Sequence, residues 1–210
     1  MFTGIVEEVG RIAQREQAGD DIRITVTAHH VTGDAQVGDS ISVSGCCLTA
    51  TAVEADGFTV ELTEETLRAT APRWEPGVAV NLERAMPASG RFGGHVVAGH
   101  VEGVGTVLER DDRDGATVLT VDAPASLAPW LLPKGSITVD GVSLTVVDAG
   151  GPYGTKPDWP AHRFSLWLIP HTLNVTTLSD LQVGSLVNLE ADVMARYAAR
   201  AAALEGPETE

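Results

Sequence analysis

The sequence predicts an all-β protein in which one small antiparallel barrel occurs twice in tandem, followed by a C-terminal helix. Three observations predict it. Four sequence blocks recur in the same order along the chain. Within each copy, apolar and polar residues alternate with period two, the signature of strands with one buried face. The stretch 191–204 replaces that alternation with a run of helix formers.

The repeats come first. Gly4-Ile5-Val6-Glu7-Glu8-Val9-Gly10 returns as Gly99-His100-Val101-Glu102-Gly103-Val104-Gly105. Ser40-Ile41-Ser42-Val43-Ser44-Gly45-Cys46-Cys47-Leu48-Thr49 returns as Ser136-Ile137-Thr138-Val139-Asp140-Gly141-Val142-Ser143-Leu144-Thr145. Thr66-Leu67-Arg68-Ala69-Thr70 matches Thr172-Leu173-Asn174-Val175-Thr176, and Val80-Asn81-Leu82-Glu83 matches Val187-Asn188-Leu189-Glu190. The offset grows from 95 at the first block to 107 at the last, with a jump of ten between the second and third. That jump marks an insertion in the second copy, placed at 150–160, where Gly and Pro are dense as in a surface loop. The expected domains are residues 1–95, residues 96–190 and a C-terminal segment 191–210, each copy being the size of a small barrel.

The strands follow in order. Ile22, Ile24, Val26 and Ala28 alternate with Arg23, Thr25 and Thr27; Phe58, Val60 and Leu62 with Thr59 and Glu61; Phe164, Leu166 and Leu168 with Ser165 and Trp167. Short strands between Gly and Asp turns favour a closed barrel, because closure removes exposed edges. Short helices are expected near 64–70 and 126–132. Across 191–204, Val193, Tyr197, Ala201 and Leu204 form one apolar stripe. Such a helix either packs back on its own barrel or meets a copy of itself. Residues 206–210 are expected to fray.

Bulk properties exclude several functions. The 210 residues carry a formal net charge of −15, which repels phosphate backbones and anionic membrane surfaces, so neither nucleic acid nor membrane is an expected partner. No apolar run reaches membrane-spanning length, and the N-terminus lacks a signal-peptide pattern. Cys46 and Cys47 are the two cysteines; as strand neighbours they point to opposite faces, which suits a reduced, cytoplasmic protein. There is no phosphate-binding glycine loop and no serine elbow.

Comparing the copies singles out the reactive candidates. Cys47 stands where the second copy has Ser143, two nucleophilic or hydrogen-bonding side chains at one repeated position. His100 replaces Ile5, putting a proton carrier where the first copy is apolar. Asp140 replaces Ser44, three residues before Ser143; it either begins a turn or orients that serine. His95 and His100 lie five apart in an extended segment, on opposite faces, which argues against a shared metal. His29, His30, His162 and His171 read as solvated.

Met1-Phe2-Thr3-Gly4-Ile5-Val6, Gly45-Cys46-Cys47-Leu48-Thr49, Gly93-Gly94-His95-Val96-Val97-Ala98-Gly99-His100-Val101 and Asp140-Gly141-Val142-Ser143-Leu144-Thr145 together resemble the bacterial riboflavin synthase family. The resemblance covers the chain outside the inserted loop and the tail. It implies two six-stranded barrels, a C-terminal helix that joins three chains into a homotrimer, and one 6,7-dimethyl-8-ribityllumazine per barrel. The active site would form where the first barrel of one chain faces the second barrel of a neighbour. A four-carbon unit would pass between the two molecules, giving riboflavin and 5-amino-6-(ribitylamino)uracil with no metal or redox cofactor. Lumazine synthase is an implied partner.

Carried onto matching positions, the resemblance gives His100 and Ser143 proton transfer in the second barrel, with Asp140 orienting them. Cys47 and Thr49 would face the other substrate, and Phe2 would cover a ring. The remaining expected contacts are Gly4, Ile5, Val6, Leu48, Glu61 and Thr66, then Gly99, Val101, Lys134, Leu144 and Thr145, and finally Trp167, Ile169 and Thr172. A non-catalytic lumazine or flavin carrier is the alternative, since such antenna proteins share the pattern. Many relatives have Asn where this chain has Ser44.

Overall fold

The computed structural model describes residues 1–204. It contains two closed barrels of six antiparallel strands each. The first comprises β1 (Glu8–Ala18), β2 (Asp21–Thr27), β3 (Ser40–Val43), β4 (Cys46–Glu54), β5 (Gly57–Leu62) and β6 (Ala79–Arg84). The second comprises β7 (Gly103–Arg113), β8 (Ala116–Asp122), β9 (Ser136–Val139), β10 (Val142–Ala149), β11 (Arg163–Leu168) and β12 (Leu186–Ala191). The hydrogen-bonded order β1-β2-β5-β4-β3-β6 is repeated by the corresponding strands of the second barrel.

The alternation read from the sequence sets which face is buried. Ile22, Ile24 and Val26 of β2 and Phe58, Val60 and Leu62 of β5 fill the first core. Phe164, Leu166 and Leu168 of β11 fill the second with Leu119, Val121 and Leu189. The inserted segment lies between β10 and β11, where a long loop replaces the tight Ala55-Asp56 turn that joins β4 to β5. Its mouth is closed by a Gly150–Lys156 bridge, and Tyr153 at its tip is exposed.

Short helices plug the barrel ends. α1 (Glu64–Ala69) starts at Thr63, whose hydroxyl accepts the Thr66 amide as an N-cap. Ala125–Trp130 is a 3₁₀ helix close to the expected 126–132. α2 (Pro170–Val175), the counterpart of α1, was not foreseen; Pro170 at its first turn suits a helix start. Leu67 of α1 and Leu173 of α2 pack against their respective cores. α3 (Val193–Leu204) leaves the second barrel with no buried residue, tied to it by an Arg196–Glu102 ion pair at 3.2 Å. None of the described helices is long and apolar enough to cross a membrane. Residues 206–210 lie outside the described part of the chain.

Candidate active site

Two matched carboxylates organise the seam between the barrels. Glu83, at the end of β6, accepts the amides of Thr3 at 2.6 Å and Gly4 at 3.0 Å. Glu190, its repeat mate on β12, accepts those of Ala98 at 2.7 Å and His100 at 2.8 Å. Burial pushes both carboxyls above their ordinary range, while these amide donors pull the other way. Phe2 and Val97, which occupy equivalent positions, pair with each other in an antiparallel bridge.

From these anchors the two arms change sides. The Ser143 amide donates to the Gly4 carbonyl at 2.7 Å, and the Cys47 amide donates to the Gly99 carbonyl at 2.7 Å. Val6 packs on the second barrel's core, and Val101 packs on the first. Cys47, Leu48 and Thr49 are therefore faced by Gly99, His100 and Val101. Ser143, Leu144 and Thr145 are faced by Gly4, Ile5 and Val6. The contact demands glycine: an added Cβ at Gly4 would lie 2.6 Å from the Ser143 Cβ, and one at Gly99 would lie 2.7 Å from the Cys47 Cβ. Both glycines also hold positive φ, +75° and +79°.

The remaining expected contacts distribute over the two barrels. Thr49 and Thr145 are exposed on their strands, Leu48 is buried and Leu144 half-buried. Cys47 is half-buried, whereas burial pushes the neighbouring Cys46 thiol up to about 12. Glu61 pairs with Arg23 at 2.9 Å, and Thr66 lies in α1. At Glu61's mate the guanidinium of Arg113 sits 5.4 Å over the half-exposed Trp167 ring. Ile169 is the exposed residue before α2, and Thr172 lies within that helix. Lys134 holds φ +69°, a left-handed conformation for which the first copy uses Gly38 at φ +98°. A cleft of about 850 Å³ between the second barrel and α3 is lined by His100, Glu190, Trp130 and Tyr197. A smaller one of about 470 Å³ takes the equivalent place beside Ile5 and Glu83.

Three expectations change once the side chains are placed. Ser143 is met by a different imidazole: His95 Nδ1 lies 2.7 Å from Ser143 Oγ. His100 rides the arm whose Gly99 carbonyl meets the Cys47 amide, and its side chain lines the cleft between the second barrel and α3. Burial lowers the His95 pKa, with the Asp192 charge acting against that, and its Nε2 is buried without a partner. His95 lies ahead of the first repeated block, so comparing the copies does not expose it. Asp140 does not touch the Ser143 side chain. Its carboxylate accepts the Asn188 amide at 2.7 Å and pairs with Arg73 at 2.7 Å, fully buried between the barrels. Phe2 is completely buried against the Gly99 turn, not free to cover a ring.

A family model described as lumazine binding domain matches residues 3–85 and again 98–192. A riboflavin synthase of Mycobacterium tuberculosis is 46% identical over 202 residues, covering 95% of this chain and 97% of the relative. One of Actinobacillus pleuropneumoniae is 41% identical over 198 residues, covering 94% and 87%. Among solved structures, LumP complexed with riboflavin aligns with a TM-score of 0.78 at 25% identity, covering 91% of this chain and 99% of that one. The duplicated barrels, the arms they exchange and these matches agree: the chain belongs to the riboflavin synthase family of twice-repeated lumazine-binding domains.

Proposed function

We propose that the chain acts as a riboflavin synthase, a transferase that moves a four-carbon unit from one 6,7-dimethyl-8-ribityllumazine to a second. Riboflavin and 5-amino-6-(ribitylamino)uracil are the products. The observation that carries this reading is the pair of matched barrels, each receiving at its β4 or β10 strand an arm from the other copy. Donor and acceptor are one compound, so two related cavities suit a reaction between a molecule and its twin. Holding both rings in place converts an encounter in solution into a local step.

The proposed roles follow the contacts. Ser143 and His95 form a hydrogen-bonded pair in the second barrel, and a neutral His95 can take a proton through the serine hydroxyl. The C7 methyl of a bound lumazine is the proton source, since the ring delocalises the resulting anion. His100, with Cys47 and Thr49, serves the ring in the first barrel. Asp140 acts at a distance through the turn that precedes Ser143. The reading needs no metal or redox cofactor, so dialysis against a chelator should leave turnover unchanged.

Assembly as a homotrimer through α3 belongs to the same proposal. Met194, Tyr197 and Leu204 on α3 are exposed in the single chain, which supports the reading that this helix meets copies of itself. The facing pockets of neighbouring chains would then complete the site. Lumazine synthase, as supplier of the substrate, is the proposed partner. Two free cysteines support a cytoplasmic location.

Mixing the protein with the lumazine tests the function directly. Growth of riboflavin absorbance is the expected result. A bound lumazine that never converts would leave the antenna reading instead. The identities of 41–46% to riboflavin synthases, against 25% to LumP, favour turnover.

A further inference from the structure

The seam between the barrels is two-fold in almost every detail. Asn81 Nδ2 donates to the Asp140 carbonyl at 2.9 Å, and its mate Asn188 Nδ2 donates to the Ser44 carbonyl at 2.8 Å. The Asn188 side-chain oxygen accepts the Ala71 amide at 2.7 Å, and that of Asn81 accepts the Thr177 amide at 2.8 Å. The turns Ser44-Gly45 and Asp140-Gly141 both hold positive φ and meet back to back, an added Cβ on Gly45 falling 2.8 Å from the Gly141 nitrogen. Ser44 Oγ accepts the Asn81 amide at 3.1 Å as Asp140 Oδ1 accepts the Asn188 amide at 2.7 Å.

One pair breaks the match. Arg73, in the loop after α1, reaches across to the second barrel, where it contacts Asp140 Oδ1 at 2.7 Å and the Leu186 carbonyl at 3.1 Å. Its mate is Ser179, too short for such a reach, and the mate of Asp140 is the neutral Ser44. The ion pair is buried, with side-chain exposures of 12% and 1%, so it fixes its geometry without competition from water. It bolts down the turn from which Ser143 and its bond to Gly4 project. Among the described residues, the turn ahead of Cys47 is held by hydrogen bonds to Ser44 and by no ion pair.

We propose that Arg73, from the first barrel, is a positioning residue for the Ser143 site of the second, and that it makes the two ligand sites of one chain unequal. The inference rests on the function proposed above for the location of those sites. The groups facing the Asp140 carboxylate are Arg73 from the loop after α1 and the Asn188 amide from β12, with Asn81 of β6 on the Asp140 carbonyl. Without Arg73, the carboxylate is left buried and uncompensated, so its protonation relieves the site.

The experiment titrates riboflavin into the full-length protein by fluorescence quenching, for the native chain, Arg73→Ser, Arg73→Lys and the double variant Arg73→Ser/Asp140→Ser. Turnover is measured alongside. Arg73→Ser is expected to weaken one of the two binding phases by roughly tenfold or more. That phase is the one Ser143→Ala also perturbs, and the loss is greater at about pH 8 than at about pH 6.5. Arg73→Lys restores part of it. The double variant copies the Ser44 arrangement and leaves no buried lone charge, so it folds even where Arg73→Ser does not. It is expected to lose the pH difference and keep the weak phase. Two phases unchanged or equally weakened by Arg73→Ser, or full native binding in the double variant, overturns the proposal. If the native chain binds riboflavin but does not convert lumazine, the proposed activity fails while this inference still stands or falls on the two phases.

Discussion

The Ser143 amide donates to the Gly4 carbonyl at 2.7 Å across 139 positions of sequence, and the Cys47 amide repeats the bond with Gly99 in the opposite direction. Each barrel is thus finished by the other copy's arm, and several consequences can be measured.

Gly4→Ala and Gly99→Ala should each damage the barrel that receives the arm, not the one that anchors it. The new Cβ would fall within 2.6–2.7 Å of Ser143 or Cys47, at φ values of +75° and +79°. Left-handed strain and overpacking together should cost about 2–4 kcal/mol. Thermal unfolding and riboflavin titration would detect it. Unaltered melting of both variants would contradict the close approach.

His95 is expected to govern the acid side of the rate profile. Burial lowers its pKa from the ordinary 6.5, so the ring is neutral at pH 7. Activity should persist as pH falls through 6.5 and decline only below it, as the folded ring finally takes a proton. His95→Gln should cut single-turnover chemistry by about 10²-fold with little change in riboflavin affinity. An acid limb centred above 6.5, and retained in that variant, would remove His95 from the proton path.

Lys134 adopts φ +69° where the first copy has a glycine. Lys134→Gly should therefore stabilise the fold by about 1 kcal/mol, or roughly 2–4 °C in melting temperature. If the ammonium group contacts substrate, KM rises in the same variant. A lower melting temperature would mean that the lysine side chain supports the fold.

Removing the residues after Ala191 deletes α3 with its exposed Met194, Tyr197 and Leu204. Sedimentation should then report monomers with both barrels intact, because no α3 side chain is buried in a core. A trimer that survives the truncation would place the assembly contacts elsewhere.

Much of this architecture was legible in the sequence. Alternation at Ile22–Thr27 and Arg163–Leu168 located strands, and the offset jump located the loop between β10 and β11. The repeat also marked Cys47 and Ser143 as matched positions. It could not tell which arm closes which barrel, since identical arms fit either cavity equally well on paper. That choice is made by Glu83, Glu190 and the Phe2–Val97 bridge, all long-range contacts. His95 drew attention only as a metal ligand, because it lies ahead of the first repeated block and has no mate to be compared with. Asp140 looked like a partner for Ser143 at a spacing of three; the left-handed turn at φ +49° and the reach of Arg73 instead give its carboxylate to the seam.

The crossed arms also govern how the two halves can move. Barrels joined only by a linker would swing apart like pages. Here any such swing must pull Val6 out of one core and Val101 out of the other at once. The halves are interlocked, so a nick in the chain between them should not release either one.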